Sequence, residues 1–211
     1  MFSKILIANR GEIAVRIIRA CKEMGIDSVA VYSEADADSL AVSLADESVC
    51  IGPAPAKDSY LNQQAVLSAA IATGAQAIHP GYGLLSENAD FAALCEQHNV
   101  TFIGPTAQVI RKMGDKDIAR KTMRAAGVPT VPGCDLVEDL EQAKKEAERI
   151  GYPLLVKAKA GGGGRGIRLV REAGEFEAAF RAASAEALAA FGDGGVYLER
   201  FLKPAKHIEV Q

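Results

Sequence analysis

The sequence predicts an α/β protein in two parts: a doubly wound parallel sheet, then an α+β segment folded around a glycine-rich hairpin. Three observations carry this. Over residues 1–103, short apolar runs alternate with helical patterns, which is the rhythm of βαβ units. Between residues 114 and 133 that rhythm breaks, first at Gly114 and then at Pro129 and Pro132. Beyond the break, Gly161, Gly162, Gly163 and Gly164 stand between two apolar strands instead of opening a helix.

Residues 4–8 (KILIA) form the first strand, ended by Asn9, Arg10 and Gly11. Ile13, Ile17, Ala20 and Met24 then recur at helical spacing, with Ala14, Ile18 and Cys21 beside them, until Gly25 stops the helix. Residues 28–32 (SVAVY) read as the second strand. A short helix over 40–45 leads to an edge strand at 48–51, a helix over 60–73 to a strand at 75–79, and a helix over 88–97 to a strand at 101–103. Right-handed crossovers place every strand-to-helix loop at one sheet edge, where doubly wound sheets bind their ligands.

The second part opens with a helix over 117–126 closed by Gly127, then a connector at 128–133 (VPTVPG). A charged helix over 139–150, a strand at 154–159, a glycine loop at 161–166 and a strand at 167–170 follow. An Ala-rich helix over 175–191 precedes a strand at 196–201 and a last alternating stretch at 207–211. The sequence stops in mid-strand and therefore reads as a fragment of a longer protein. The expected domains are 1–114 and an incomplete 115–211, with a lid subdomain over 131–201.

Hydrophobic residues make up 49% and charged residues 24% of the 211, as in ordinary soluble domains. The net charge of −3 comes from interspersed signs, and Trp is absent, so neither a basic nucleic-acid face nor a base-stacking surface is expected. No apolar run reaches the roughly 18–20 residues of a membrane span, and residues 1–8 are too short for a secretory core. The expected location is the cytoplasm, or an organellar matrix after removal of a leader. Cys21, Cys50, Cys95 and Cys134, like His79, His98 and His207, lack metal-ligand spacing. The cysteines are expected as buried, reduced thiols.

The glycine run carries the chemistry. Glycines let successive backbone N–H groups approach phosphate oxygens without side chains in the way. The run lacks the Gly-Lys-Ser/Thr of a Walker A loop and does not open a helix, so both common phosphate-loop fingerprints fail. A hairpin lid with Lys157 in the preceding strand is a different nucleotide-binding plan. Elsewhere the residues leave alternatives open. Asn9, Arg10, Gly11 and Glu12 are either a tight turn, with Glu12 favouring the helix N-terminus, or part of a site. His79, Pro80 and Gly81 are either a rigid turn or a ligand loop. Residues 196–202 (VYLERFL) are either a plain buried strand or a nucleotide edge. Arg19 and Glu23, one turn apart, are either a surface pair or part of a partner face. Lys159 is either a solvent-facing neighbour or a further phosphate contact.

The segment 152–166 (YPLLVKAKAGGGGRG) resembles the phosphate loop of ATP-grasp enzymes. Residues 7–19 (IANRGEIAVRIIR), 79–88 (HPGYGLLSEN), 102–105 (FIGP) and 113–116 (MGDK) narrow the resemblance to the biotin carboxylase component of biotin-dependent carboxylases, over the whole chain and in order. The resemblance implies a Rossmann-like pre-ATP-grasp domain followed by an ATP-grasp lid. It also implies ATP-dependent carboxylation of carrier-bound biotin by bicarbonate through carboxyphosphate, with Mg2+ on the phosphates. It assigns Lys116 and Lys157 to the phosphates, with Gly161, Gly162, Gly163, Gly164 and Gly166 closing over them. Glu199, Arg200, Phe201 and Leu202 fall at the adenine edge, His207 on the ribose and biotin side, and Tyr82 and Gly83 near the biotin ring. The family's metal-binding carboxylates and bicarbonate-binding arginine fall beyond Gln211, so no catalytic residue is expected within the chain, nor turnover by it alone, and ATP binding should be weak. The implied partners are a biotin carboxyl carrier, a carboxyltransferase of acyl-CoA or pyruvate type, and a second copy in a homodimer. The alternatives are another ATP-grasp ligase or a non-catalytic nucleotide-binding module.

Overall fold

The computed structural model describes residues 1–114, 116–137, 139–159, 166–206 and 208, with the backbone alone at 116, 117 and 191. The chain forms two compact units, Met1–Ala119 and Arg120–Val210.

The first unit contains β1 (Lys4–Ile7), α1 (Gly11–Met24), β2 (Asp27–Tyr32), α2 (Leu40–Leu44) and β3 (Glu47–Cys50). It continues through α3 (Gln63–Thr73), β4 (Ala77–His79), α4 (Ala89–Gln97), β5 (Thr101–Phe102) and α5 (Ala107–Gly114). The five strands are parallel, in the order β3-β2-β1-β4-β5. Alternate residues of each strand go to opposite faces. Ile5, Ile7, Ala30 and Ala77 pack on Ala14, Ile17, Ile18 and Cys21 of α1. Leu6, Ala8, Val29, Val31 and Ile78 pack on Val66, Leu67 and Ala70 of α3 and on Phe91 of α4. Burial on both faces is why β1 reads as an unbroken apolar run.

Most sequence expectations hold, and the departures have local causes. The third helix starts at Gln63 instead of residue 60, because the Asn62 side chain caps it by accepting from the Ala65 amide at 3.1 Å. Tyr60 is thereby released into the core, 1% exposed. Helix α5 was not anticipated; Ala107 and Ile110, one turn apart, bury against Ala92 of α4. Cys21, Cys95 and Cys134 are buried free thiols, but Cys50 is exposed, since β3 is an edge strand. Gly25 closes α1 as expected: its φ of 68° turns the chain so that the Ile26 amide reaches the Cys21 carbonyl at 2.9 Å.

Helix α6 (Lys116–Ala125) leads into the second unit, which holds α7 (Leu140–Ile150), β6 (Leu154–Ala158), β7 (Ile167–Val170), α8 (Ala173–Phe191) and β8 (Val196–Arg200). Its sheet is antiparallel, in the order β7-β6-β8. One face is a core: Leu154, Val156, Val170, Val196 and Leu198 pack on Ala143, Ala147 and Ile150 of α7 and on Phe176 and Ala183 of α8. The alternate residues Leu155, Lys157, Tyr197 and Glu199 lie half-buried on the opposite face. Asp139 caps α7, accepting from the Gln142 amide at 2.7 Å. The strand expected at 207–211 falls outside the described residues, Ile208 apart. Among the described residues, no helix is long and apolar enough to cross a membrane.

Candidate functional site

Two sites emerge, one in each unit. In the first, the strand order reverses at β1 and β4: β1 runs out to β3 on one side and β4 to β5 on the other. The loops after these two strands flank the crevice in which doubly wound sheets bind ligands. Asn9, after β1, is 5% exposed. Its Nδ2 donates to the carbonyls of Pro80 at 2.6 Å and Tyr82 at 2.9 Å, and its Oδ1 accepts from the Arg10 amide at 2.8 Å. Both donors of one buried side chain thus clamp the two loops together. Gly81 is needed at this clamp: at φ +64°, a Cβ there would lie 2.8 Å from Asn9 Nδ2. His79 Nδ1 accepts from the Gly81 amide at 3.0 Å, and burial holds the imidazole pKa below its ordinary value.

The sequence-expected Tyr82 and Gly83 lie on this loop. Tyr82 is exposed, and its hydroxyl donates to Glu12 Oε1 at 2.6 Å, a bond that raises the phenol pKa. Beside the crevice is a cluster that sequence reasoning missed. Tyr60 donates to Asp36 Oδ2 at 2.6 Å and accepts from the Ser33 amide at 3.0 Å, and Arg10 lies over the Tyr60 ring at 5.3 Å. The Tyr60 bond, then the Ser33 hydroxyl and Arg10, hold the Asp36 carboxyl below its usual range. Burial, then the bond to Asp36, pushes the Tyr60 phenol up to about 12.

The second site is the open face of the antiparallel sheet. Register sets Leu155 opposite Glu199 and Lys157 opposite Tyr197, and Lys157 Nζ reaches diagonally to Glu199 Oε2 in an ion pair. Arg120, on α6, comes over the same face. Its guanidinium lies 5.2 Å from the Tyr197 ring centroid, donates to the Cys134 carbonyl at 3.2 Å and stands 3.7 Å from Glu199 Oε1. Gly166 closes the hairpin between β6 and β7 at φ +71°; its carbonyl accepts from the Ala158 amide at 2.8 Å, and a Cβ there would meet the Ala158 Cβ at 2.6 Å.

Structure therefore brings Lys157, Glu199 and Gly166 to one region. Arg200 points away, donating to the Ile150 carbonyl at the end of α7 at 2.7 Å. The amides of Arg200 and Phe201 donate to the Pro132 and Pro153 carbonyls, so neither is available to a ligand. Leu202 is exposed, and Lys203 Nζ lies 5.0 Å from the Phe201 ring. Lys159 reaches Asp193 at 3.3 Å across the strand end. Gly161, Gly162, Gly163, Gly164 and His207, and the side chain of Lys116, lie outside the described residues. Arg120 carried no local signal, because its partner is on β8, far along the chain. Among the described residues, no group of three or more His, Cys, Asp or Glu side chains is placed to hold a metal ion.

Comparison with known proteins matches residues 1–110 to the biotin carboxylase N-terminal domain and residues 115–211 to the ATP-binding domain of the carbamoyl-phosphate synthase L chain. Biotin carboxylase 1 of Bacillus subtilis (strain 168) is 58% identical over 212 residues, 100% of this chain and 47% of that protein. Among solved structures, the biotin carboxylase domain dimer of Hydrogenobacter thermophilus 2-oxoglutarate carboxylase, in complex with MgADP, ADP and bicarbonate, aligns at a TM-score of 0.76 and 52% identity. It covers 96% of this chain and 45% of its own. The biotin carboxylase–β-γ-ATP complex from Campylobacter jejuni aligns at 0.79 and 50% identity, over 96% of this chain and 46% of that one. The chain spans about half the length of these proteins. A biotin carboxylase N-terminal match over more than half of the chain, on a parallel sheet followed by an antiparallel one, is sufficient to place it: the chain belongs to the biotin carboxylases.

Proposed function

We propose that the chain is the front part of a biotin carboxylase, which joins bicarbonate to carrier-bound biotin at the expense of ATP, through carboxyphosphate. The observation that carries this is Lys157, an ammonium on the half-open face of β6 one hairpin arm from the glycine loop, where a nucleotide polyphosphate needs a cation. Lys116 is the second cation on the phosphates, and Gly161, Gly162, Gly163, Gly164 and Gly166 form the loop that closes over them. Glu199, Arg200, Phe201 and Leu202 border the adenine. With the Arg200 and Phe201 amides engaged, reading the adenine edge falls to carbonyls and to the Leu202 amide. His207 takes the ribose and biotin side, and Tyr82 and Gly83 lie toward the biotin ring.

The described residues do not form a Mg2+ site: the half-buried carboxylate of the lid face, Glu199, is engaged by two cations. The metal carboxylates and the bicarbonate-binding arginine belong to the remainder of a chain of the relatives' length, with a domain division near residue 114 and a lid over 131–201. The partners are a biotin carboxyl carrier, a carboxyltransferase and a second copy, in keeping with the dimer of the Hydrogenobacter neighbour. The setting is the cytoplasm or an organellar matrix.

The test is MgATP calorimetry on a protein of the relatives' full length carrying this chain. Lys157→Ala and Lys116→Ala should each weaken binding about ten-fold or more, the value of a charge-assisted phosphate contact. Unchanged affinity in Lys157→Ala would remove the lysine from the phosphates and the lid face from the nucleotide site.

A further inference from the structure

The Lys157–Glu199 pair raises a question that the ATP reading leaves open. A lysine bound to a carboxylate is not free for a phosphate. Moving its ammonium strips a half-buried carboxylate, 20% exposed, of its partner. Leaving one member of a buried pair without compensation is far costlier than the pair itself is stabilising.

Arg120 answers that question. The Glu199 carboxylate is divided between two cations, with Oε2 on Lys157 and Oε1 at 3.7 Å from Arg120 Nη2. The Arg120 side chain is only 10% exposed and is held on three sides: by the Tyr197 ring, by the Cys134 carbonyl and by Glu199. The backbone is shaped to admit it. Gly133 bridges to Glu199, and a Cβ at 133 would sit 2.6 Å from the Leu198 carbonyl and 3.2 Å from Arg120 Nη1. A planar guanidinium locked by stacking and a carbonyl stays in place, whereas an ammonium on a flexible stem swings freely.

We propose that Arg120 is a positioning residue that retains the Glu199 carboxylate when Lys157 swings to the nucleotide phosphates. The inference rests on the ATP-binding reading of Lys157. In the empty site Glu199 parks Lys157. In the occupied site the Lys157 charge goes to phosphate and the Arg120–Glu199 pair remains. The side chain itself touches no ligand; it acts by lowering what Lys157 gives up.

The experiment is MgATP affinity and steady-state kinetics in the full-length carboxylase for Lys157→Ala, Arg120→Met, Glu199→Gln and the Arg120→Met/Glu199→Gln double variant. Arg120→Met should raise the Kd and KM for MgATP about ten-fold, a coupling typical of residues in direct contact, and leave kcat and the KM for bicarbonate within about two-fold. In the Glu199→Gln background, where no carboxylate holds Lys157, the same substitution should change MgATP affinity less than about two-fold. A residue that merely supports the fold would lose as much in either background, and that result overturns the proposal. So does unchanged MgATP affinity in Arg120→Met while Lys157→Ala still weakens it, which leaves the nucleotide site standing. If Lys157→Ala has no effect, both readings fall. Arg120→Gln, which keeps a polar group over Tyr197, allows the same comparison if the methionine variant does not fold.

Discussion

The two sheets of this chain solve the same problem in opposite ways. In the parallel sheet both faces of the central strands are buried, so the middles of β1 and β2 have no side chain to spare: Leu6, Ile7, Val29 and Ala30 are all 1% exposed or less. Polar side chains with freedom to meet a ligand are therefore left to the strand ends, where Asn9 and Tyr82 sit on loops. In the antiparallel sheet only one face is buried, and every second residue of β6 and β8 is available. Lys157, Tyr197 and Glu199 use that freedom on the strands themselves. The first unit presents backbone and loop groups at an edge; the second presents a charged surface held by the regularity of the pleat.

The two cores are expected to fail separately. Phe91→Ala in the first unit and Phe176→Ala in the second each empty a fully buried site and should cost about 3–5 kcal/mol. Hydrogen exchange should quicken in β1 and β4 for the former and in β6 and β8 for the latter. Equal quickening in all four strands would make the units one cooperative body. A smaller effect separates the two glycine loops. Gly166→Ala adds backbone strain to a clash with Ala158 and should cost about 2–4 kcal/mol. At Gly83, φ is also positive but a Cβ would meet nothing within 4 Å, so Gly83→Ala should cost only about 1–2 kcal/mol. Chemical denaturation of the two variants gives the ranking, and equal losses would mean that the hairpin closure relaxes around a side chain.

Tyr60 sharpens the picture of the first unit. Its phenol is held up to about 12 in the folded protein, from an ordinary 10. The folded state therefore keeps a proton that the unfolded chain releases, and the stabilisation is whole below pH 10 and lost as pH rises toward about 12. Tyr60→Phe should flatten that alkaline decline in a melting series and cost about 1–2 kcal/mol at neutral pH, from the lost bond to Asp36 and the unpaired Ser33 amide. A decline of unchanged slope would place the titration elsewhere. The smallest effect belongs to the exposed Arg111–Asp90 pair, 2.6 Å apart. A double-mutant cycle there should give a coupling below about 1 kcal/mol that fades in salt.

What the sequence made legible follows the same division. The parallel sheet was readable strand by strand, because burial on both faces writes continuous apolar runs and because Gly25 punctuates the first helix. Helix α5 escaped since its buried stripe is only Ala107 and Ile110, too short for periodicity to register. The start of α3 was misplaced because Tyr60 resembles a helical core position, and the Asn62 capping signal was passed over. In the lid, Lys157 and Glu199 stood out on strands of alternating character. Arg120 did not, since a cation on a helix looks like any solvated lysine or arginine until the fold sets it over Tyr197. Charges read from sequence gain meaning only through partners far along the chain.

The Asn9 clamp has one more consequence, and it concerns the ageing of the polypeptide. Deamidation turns an asparagine into an aspartate with almost no change of shape, a lesion many surfaces tolerate. Here Nδ2 faces two carbonyl oxygens, so the product would set a negative oxygen against two lone-pair donors inside the crevice. The same lock slows the damage, because the cyclisation that starts it must pyramidalise the Asn9 amide and expel Nδ2, which the Pro80 and Tyr82 carbonyls hold in place. A residue whose chemical decay would open the clamp is thus also one that the clamp restrains.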